Sequence, residues 1–259
     1  MVDLARLSKA RFARLVLDFI TILLVIGFLG FASFGIGLLR FYLFGLFAKD
    51  FAQKLHKGYK MKTSIAIIGG SIAGLTSALI FASAKSADRD FEITIIDEGK
   101  GDLNAAAIYN APLFPLGAKA PEIYSQLKAQ IASMFEVRYI TGKATAVSGQ
   151  KGAFITSGEG FEALQSEYVI FATGASSFEI EGFKDFVRPH TLIPRPNKVR
   201  LEWSGRQELK AGAYVAGIAS GVTSMVTTAM GSASEAACAI ISDIAGEVAY
   251  HHDTPTSRK

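Results

Sequence analysis

The first long apolar feature of the chain runs from Phe19 to Leu39, FITILLVIGFLGFASFGIGLL, 21 residues without a charge. At 1.5 Å rise per residue a helix of that length reaches about 31 Å, enough to cross the hydrocarbon core of a bilayer. The pattern predicts a span over about 19–39. Directly after it, Phe41, Phe44, Phe47, Phe51 and Leu55 recur at spacings of three and four, with Lys49, Lys54 and Lys57 mostly off that stripe. Such a stripe predicts an amphipathic helix over about 40–57 that lies in the membrane interface. A cleaved signal peptide is the first alternative, since basic residues precede the run and Gly30-Phe31-Ala32 resembles a small-x-small cleavage site. The run is longer than the usual apolar stretch of about 7–15 residues in such peptides, which argues against it. A re-entrant hairpin from Leu15 to Ala48, bent among Gly27, Gly30, Gly35 and Gly37, is the second.

Past Lys62 the periodicity changes to that of a folded domain. Thr63–Ile68 reads as a short strand, a Gly-rich turn follows, Ile72–Ala84 reads as a helix and Phe91–Ile96 as a second strand. Strand, helix and strand in about 35 residues make a βαβ unit, which implies a right-handed crossover and a parallel sheet. Pro121–Met134 predicts a further helix; Arg138–Val147, Ala153–Thr156 and Glu167–Ala172 predict strands; Ala213–Ala216 predicts a last strand before a long small-residue helix over about 224–244. The chain therefore divides into an N-terminal membrane anchor over 1–62, an α/β domain over 63–247 and a polar C-terminal tail over 248–259.

Composition sharpens this division. Half of the 259 residues are apolar and only 19% are charged, as a membrane segment would require. The single cysteine, Cys238, excludes a disulfide framework, a Cys-rich metal site and an internal redox dithiol. Residues 1–62 hold ten Lys and Arg against three Asp, a net of +7, whereas the remainder holds 17 against 20, a net of −3. The folded domain thus lacks the basic face that a nucleic-acid partner needs, and the basic flanks of the apolar run fit anionic membrane lipid instead. Four basic residues precede the span and six follow it up to Lys62, which predicts an inner-membrane protein with its α/β domain on the cytoplasmic side.

Candidate chemistry centres on Ser64–Leu75, SIAIIGGSIAGL, which fits the dinucleotide-binding fingerprint at its first and third glycines, Gly69 and Gly74, with Ser71 at the second and Gly70 between. The first glycine allows the tight turn, the third lets the helix pack closely on the strand, and the helix N-terminus offers free N–H groups to a pyrophosphate. Glycines also punctuate ordinary turns, so the context decides: the motif follows a strand, opens a helix, and is answered by Asp97 at the end of the second strand, 23 residues after Gly74. A carboxylate there accepts both hydroxyls of an adenosine ribose and repels a 2′-phosphate.

From Thr63 to Ala245 the chain resembles the FAD-binding domain of the two-dinucleotide-fold flavoproteins, of the thioredoxin-reductase-like kind. The resemblance rests on IIGGSIAGL, ITIIDEG (93–99), NAPLFPLGAKAPEIYSQLKAQI (110–131), TGKATAV (141–147), VIFATGA (169–175) and AGAYVAGIASGVTSMVTTAMGSASEAA (211–237). It implies a Rossmann-type FAD-binding domain with a parallel sheet and a small β-meander. It also implies that FAD is held by Gly69, Gly70, Ser71, Gly74 and Asp97, by the backbone at Ala144, by Thr173 and Gly174 at the ATG strand end, and by Gly217 and Val226, where the last helix aims its N-terminus at the flavin. Three departures matter. The family's Cys-x-x-Cys is absent; only 36 residues separate Gly174 from Ala211, where relatives insert a nicotinamide-binding domain; and the family's Ala-Gly-Asp reads Ala216-Gly217-Ile218.

The other reactive types read as structural or solvated. His56, His190, His251 and His252 show no metal-ligand spacing, Cys238 sits among Ala and Ile, and Ser71 has no His or Asp relay, so neither a metal site nor a hydrolase is expected, and no catalytic residue emerges. The expectation is a membrane-anchored single-domain FAD oxidoreductase or electron-transfer subunit served by a protein partner or quinone. The alternative is a redox-inactive accessory subunit that keeps the fold.

Overall fold

The computed structural model describes residues 62–86 and 89–249. The expected span over 19–39, the interfacial helix over 40–57 and all but the first two residues of the expected C-terminal tail lie outside them. Among the described residues, no helix is long and apolar enough to cross a membrane.

The sheet is built around two apolar runs. β1 (Thr63–Ile68) and β2 (Phe91–Asp97) carry almost no outward polar positions, the mark of strands covered on both faces, and they pair in parallel with Ile65 beside Ile93 and Ile68 beside Ile96. The helix α1 (Ile72–Ala84) crosses between them. After β3 (Ala107–Ile108), β4 (Ala118–Lys119) and the helix α2 (Ala120–Ala132), β5 (Arg138–Thr141) adds beside β2. The antiparallel meander β6 (Lys143–Ser148), β7 (Phe154–Glu159) and β8 (Leu164–Ser166) follows, and then β9 (Tyr168–Phe171) returns to the other side of β1. The hairpin β10 (Val187–Pro189) and β11 (Val199–Leu201) precedes β12 (Glu208–Lys210), β13 (Ala213–Val215) and the long helix α3 (Val226–Ala245). The order is β12-β13-β9-β1-β2-β5, parallel throughout except for β12 at its edge.

Alternation along β1 sorts two cores. Ile65 and Ile67 face α1 and α3, whereas Ala66 and Ile68 face the meander side with Val147, Phe154, Phe171 and Phe183. Helices, sheet and meander thus form three layers. α1 packs against α3, a helix rich in small residues including Ala233, Ala236 and Ala237; the Ser77 hydroxyl donates to the Ala233 carbonyl at 3.4 Å.

One run that reads as a single strand is two. Arg138–Val147 breaks at Gly142, so that β5 joins the parallel sheet and β6 the meander. A side chain at 142 would meet the Glu159 carbonyl oxygen at 2.6 Å, which is why a glycine turns the chain there. The expected strand over Glu167–Ala172 is β9, and β8 just before it was not among the expected strands; at Glu167, whose N–H bonds to the Ser64 carbonyl, the chain crosses from meander to sheet. Between Gly174 and Ala211 the chain forms the β10–β11 hairpin, short turns and the edge strand β12, with no second dinucleotide-binding unit.

Candidate functional site

A cleft of ≈ 790 Å³ opens at the carboxyl ends of β1, β2, β9 and β13, the crevice where open parallel sheets bind ligands. Of the sequence-predicted residues, Gly69, Ser71, Asp97, Ala144, Thr173, Gly174, Gly217 and Val226 line it; Gly70 and Gly74 stand behind its wall.

At one end the turn after β1 is fixed by backbone geometry. Gly69 has φ +109°, and a Cβ there would stand 2.2 Å from the Ala172 carbonyl oxygen, so only glycine fits. Gly74 serves packing: its added Cβ would meet the Gly69 carbonyl oxygen at 1.9 Å. Gly70 lies against Asp97, whose Cβ would be 2.8 Å from a side chain at 70, and this contact brings the carboxylate at the end of β2 to the mouth of the turn. Ser71 occupies the N-cap position of α1 without capping it through its side chain; its hydroxyl instead stands 2.7 Å from the Tyr124 hydroxyl on α2. Burial, and then the nearby Asp97 carboxylate, push the Tyr124 phenol above its ordinary range, so it remains an O–H at neutral pH. Tyr124 carried no sequence signal, because its partner lies 53 residues away.

At the other end, Gly174 turns with φ +74° into open space, and Gly217 turns with φ +72° against the Ala73 methyl. The turn Gly217–Ser220 is held from three sides. Its Gly217 N–H donates to Ser232 Oγ at 3.1 Å, the Trp203 indole N–H donates to the Ser220 carbonyl at 2.9 Å, and His190 Nε2 lies 3.1 Å from the Ile218 carbonyl. The Leu192 N–H donates to His190 Nδ1 at 3.2 Å, which leaves Nε2 to face the Ile218 carbonyl. The shortened connection thus supplies a buried brace, in keeping with the structural reading of His190. Ile218 itself lines the cleft.

These residues fit a dinucleotide. Thr173 Oγ1 is buried at the cleft wall with no partner, a group that a bound ligand would satisfy. α1 and α3 both reach the cleft with their N-termini, and neither has a side-chain cap or a carboxylate in its first turn, so their free N–H groups and partial positive charge remain available to an anion. The cleft also draws on residues not singled out in the sequence, among them Asn110, Lys143 and Phe178. Elsewhere, burial and then Glu235 push the Cys238 thiol up, which suits a packing residue and not a nucleophile. Among the described residues no group of His, Cys, Asp and Glu could hold a metal ion.

A family model described as pyridine nucleotide-disulphide oxidoreductase matches residues 63–244. No curated protein matches the chain. Solved structures do. The oxidoreductase from Agrobacterium tumefaciens is similar at TM-score 0.57 and 16% identity over 72% of this chain and 99% of that one. A thioredoxin reductase from Gloeobacter violaceus is similar at TM-score 0.59 and 12% identity, over 76% and 100%. The atypical thioredoxin reductase from Desulfovibrio vulgaris Hildenborough gives TM-score 0.55 and 14% identity, over 73% and 100%. At these identities the likeness speaks to the fold.

Proposed function

This chain belongs to the pyridine nucleotide-disulphide oxidoreductase family, and we propose that it is a membrane-anchored, single-domain FAD oxidoreductase or electron-transfer subunit whose donor or acceptor is a protein partner or a quinone. The observation that carries the reading is the cleft itself, with the unpaired Thr173 hydroxyl in its wall, on a domain whose β9–β13 connection holds no nicotinamide-binding unit. The free N-terminus of α1 would take the pyrophosphate, Asp97 the ribose hydroxyls, and the Ala144 backbone the adenine. Thr173, Gly174, Gly217 and the start of α3 would enclose the flavin end. Bound FAD supplies reversible electron transfer; the protein supplies position, dipole and exclusion of water.

The uncharged run over 19–39 and its basic flanks support anchoring in the inner membrane with the domain on the cytoplasmic side. Ile218, where the resemblance places an aspartate, favours a second reading, a subunit that keeps the fold without redox activity. The visible absorption spectrum of the detergent-purified full chain separates the two. An oxidised flavin band that dithionite bleaches supports the first reading, and a colourless protein that takes up no added FAD overturns it.

A further inference from the structure

Three of the most exposed large apolar side chains among the described residues fall within eight positions: Tyr109 (70% exposed), Leu113 (102%) and Leu116 (82%). They stand on the loop between β3 and β4, inside a stretch of 15 residues, Asn104–Ala118, that contains no charge. The loop is fixed at its base, where β3 pairs with β4 and the Gly117 N–H donates to the Ile108 carbonyl at 2.8 Å. Pro112 and Pro115 bracket its tip, and Leu113 is held there at φ +70°, a left-handed conformation that leucine rarely adopts. Phe114 packs back against the core beside buried Ala111, while Leu113 and Leu116 on either side of it stand in solvent, so the strained backbone at Leu113 turns a leucine outward rather than into the core. The foot of the same loop, through Ala106, Ala107, Ile108 and Asn110, forms part of the wall of the cleft.

We propose that the Tyr109–Leu116 loop inserts into the interfacial layer of a lipid bilayer and so sets the mouth of the cleft against the membrane. This rests on the membrane-anchored reading above and deepens it. Three observations select lipid as the occupant. The chain carries its own uncharged 21-residue run, so a bilayer is at hand. Two leucines with an adjacent tyrosine match the composition of segments that dip into the headgroup boundary. A loop of eight residues is also far smaller than the roughly 20–30 residues a side of a stable protein interface, which a second copy of the chain would need.

The test uses the full chain with Cys238→Ala, carrying a single nitroxide at Leu113→Cys, Leu116→Cys or, as a reference on the meander, the half-exposed Ile155→Cys, in vesicles of phosphatidylcholine and phosphatidylglycerol. Oxygen concentrates in lipid and a nickel chelate stays in water. The proposal expects the ratio of oxygen to nickel accessibility at 113 and 116 to exceed that at 155 several-fold. Equal ratios at all three sites overturn it, and so does dipolar broadening at 113 that persists in detergent, which would assign the loop to a second copy. Vesicle flotation and the flavin band, recorded on the same samples, keep the two readings apart. A chain that floats and is yellow but has a water-exposed loop sinks only this inference, whereas a chain that does not float sinks the anchored reading.

Discussion

Ser71 and Tyr124 meet through their hydroxyls at 2.7 Å, and the contact fixes the one residue of the dinucleotide turn that departs from glycine. A Gly101 side chain would come within 3.1 Å of Ser71 Oγ and 3.2 Å of the Tyr124 hydroxyl, so that loop closes over the pair. The Ser71 side chain is thereby kept on the α2 side of the turn in one orientation. Tyr124→Phe should weaken FAD binding by about 1 kcal/mol, roughly fivefold, the net value of one hydrogen bond. In a Ser71→Gly background the same change should cost nothing, since no hydroxyl is left to orient. Titration of FAD into the apoprotein measures all four corners of this cycle, and equal effects of Tyr124→Phe in both backgrounds would refute the positioning role.

The glycines of the cleft differ in what they tolerate. Gly69→Ala and Gly69→Val drive a Cβ into the Ala172 carbonyl, 2.2 Å away, at φ +109°, and should abolish flavin binding and lower the melting temperature. Gly174→Ala meets nothing within 4 Å, so only its φ of +74° is strained, at about 1–2 kcal/mol. Thermal melts and flavin content of purified variants should therefore separate the two positions, and comparable losses at both would contradict the geometry.

Local and distant determinants explain which parts of this architecture were legible in sequence. The βαβ unit was, because its apolar runs, its Gly-rich turn and Asp97 are each encoded within a few residues; the expected strand over 91–96 ends one residue later, at Asp97. The break at Gly142 was not, because the residues on either side are equally suited to extended backbone, and only the partner strand, β2 or β7, decides which sheet each half joins; β8, three residues long, also went unread. The β10–β11 hairpin was missed for a related reason: Val187–Pro189 and Val199–Leu201 are three-residue segments containing Pro and Arg, too short for alternation to register. Tyr124 and His190 belong to the same class, since each acts on a residue 53 or 28 positions away.

Alkaline pH should expose the packing of Tyr168 at the far end of the domain. Its hydroxyl donates to Asp243 Oδ2 at 2.9 Å, and Lys151 Nζ reaches the same carboxylate at 2.7 Å. Burial, and then Asp243, hold the phenol well above its ordinary range. The folded state therefore keeps the proton that the unfolded chain releases near pH 10, so the contribution is intact below that pH and is lost as pH rises. By pH 11 the loss is about 1.4 kcal/mol for this one group. Tyr168→Phe should be less stable than the parent at neutral pH, having lost a hydrogen bond to a charged acceptor, yet its stability should fall less steeply from pH 9 to 11. Parallel urea melts across that range decide the matter: an unchanged slope would show that Tyr168 does not carry the linkage.

Reduction by nicotinamide nucleotides tests the reading of the missing unit. Hydride transfer needs donor and flavin rings in near contact, held by a site that orients the nucleotide. Between Gly174 and Ala211 this chain places a hairpin of two three-residue strands, short turns and an edge strand, and His190 from that stretch is already committed to the Ile218 carbonyl. Free NADH or NADPH should therefore bleach the flavin slowly or not at all, while dithionite bleaches it at once and membranes containing quinone reoxidise it. Anaerobic mixing with NADH, followed at the flavin band, checks this. Rapid stoichiometric bleaching would mean that a nicotinamide site exists on the folded domain, and the partner-dependent reading would fall.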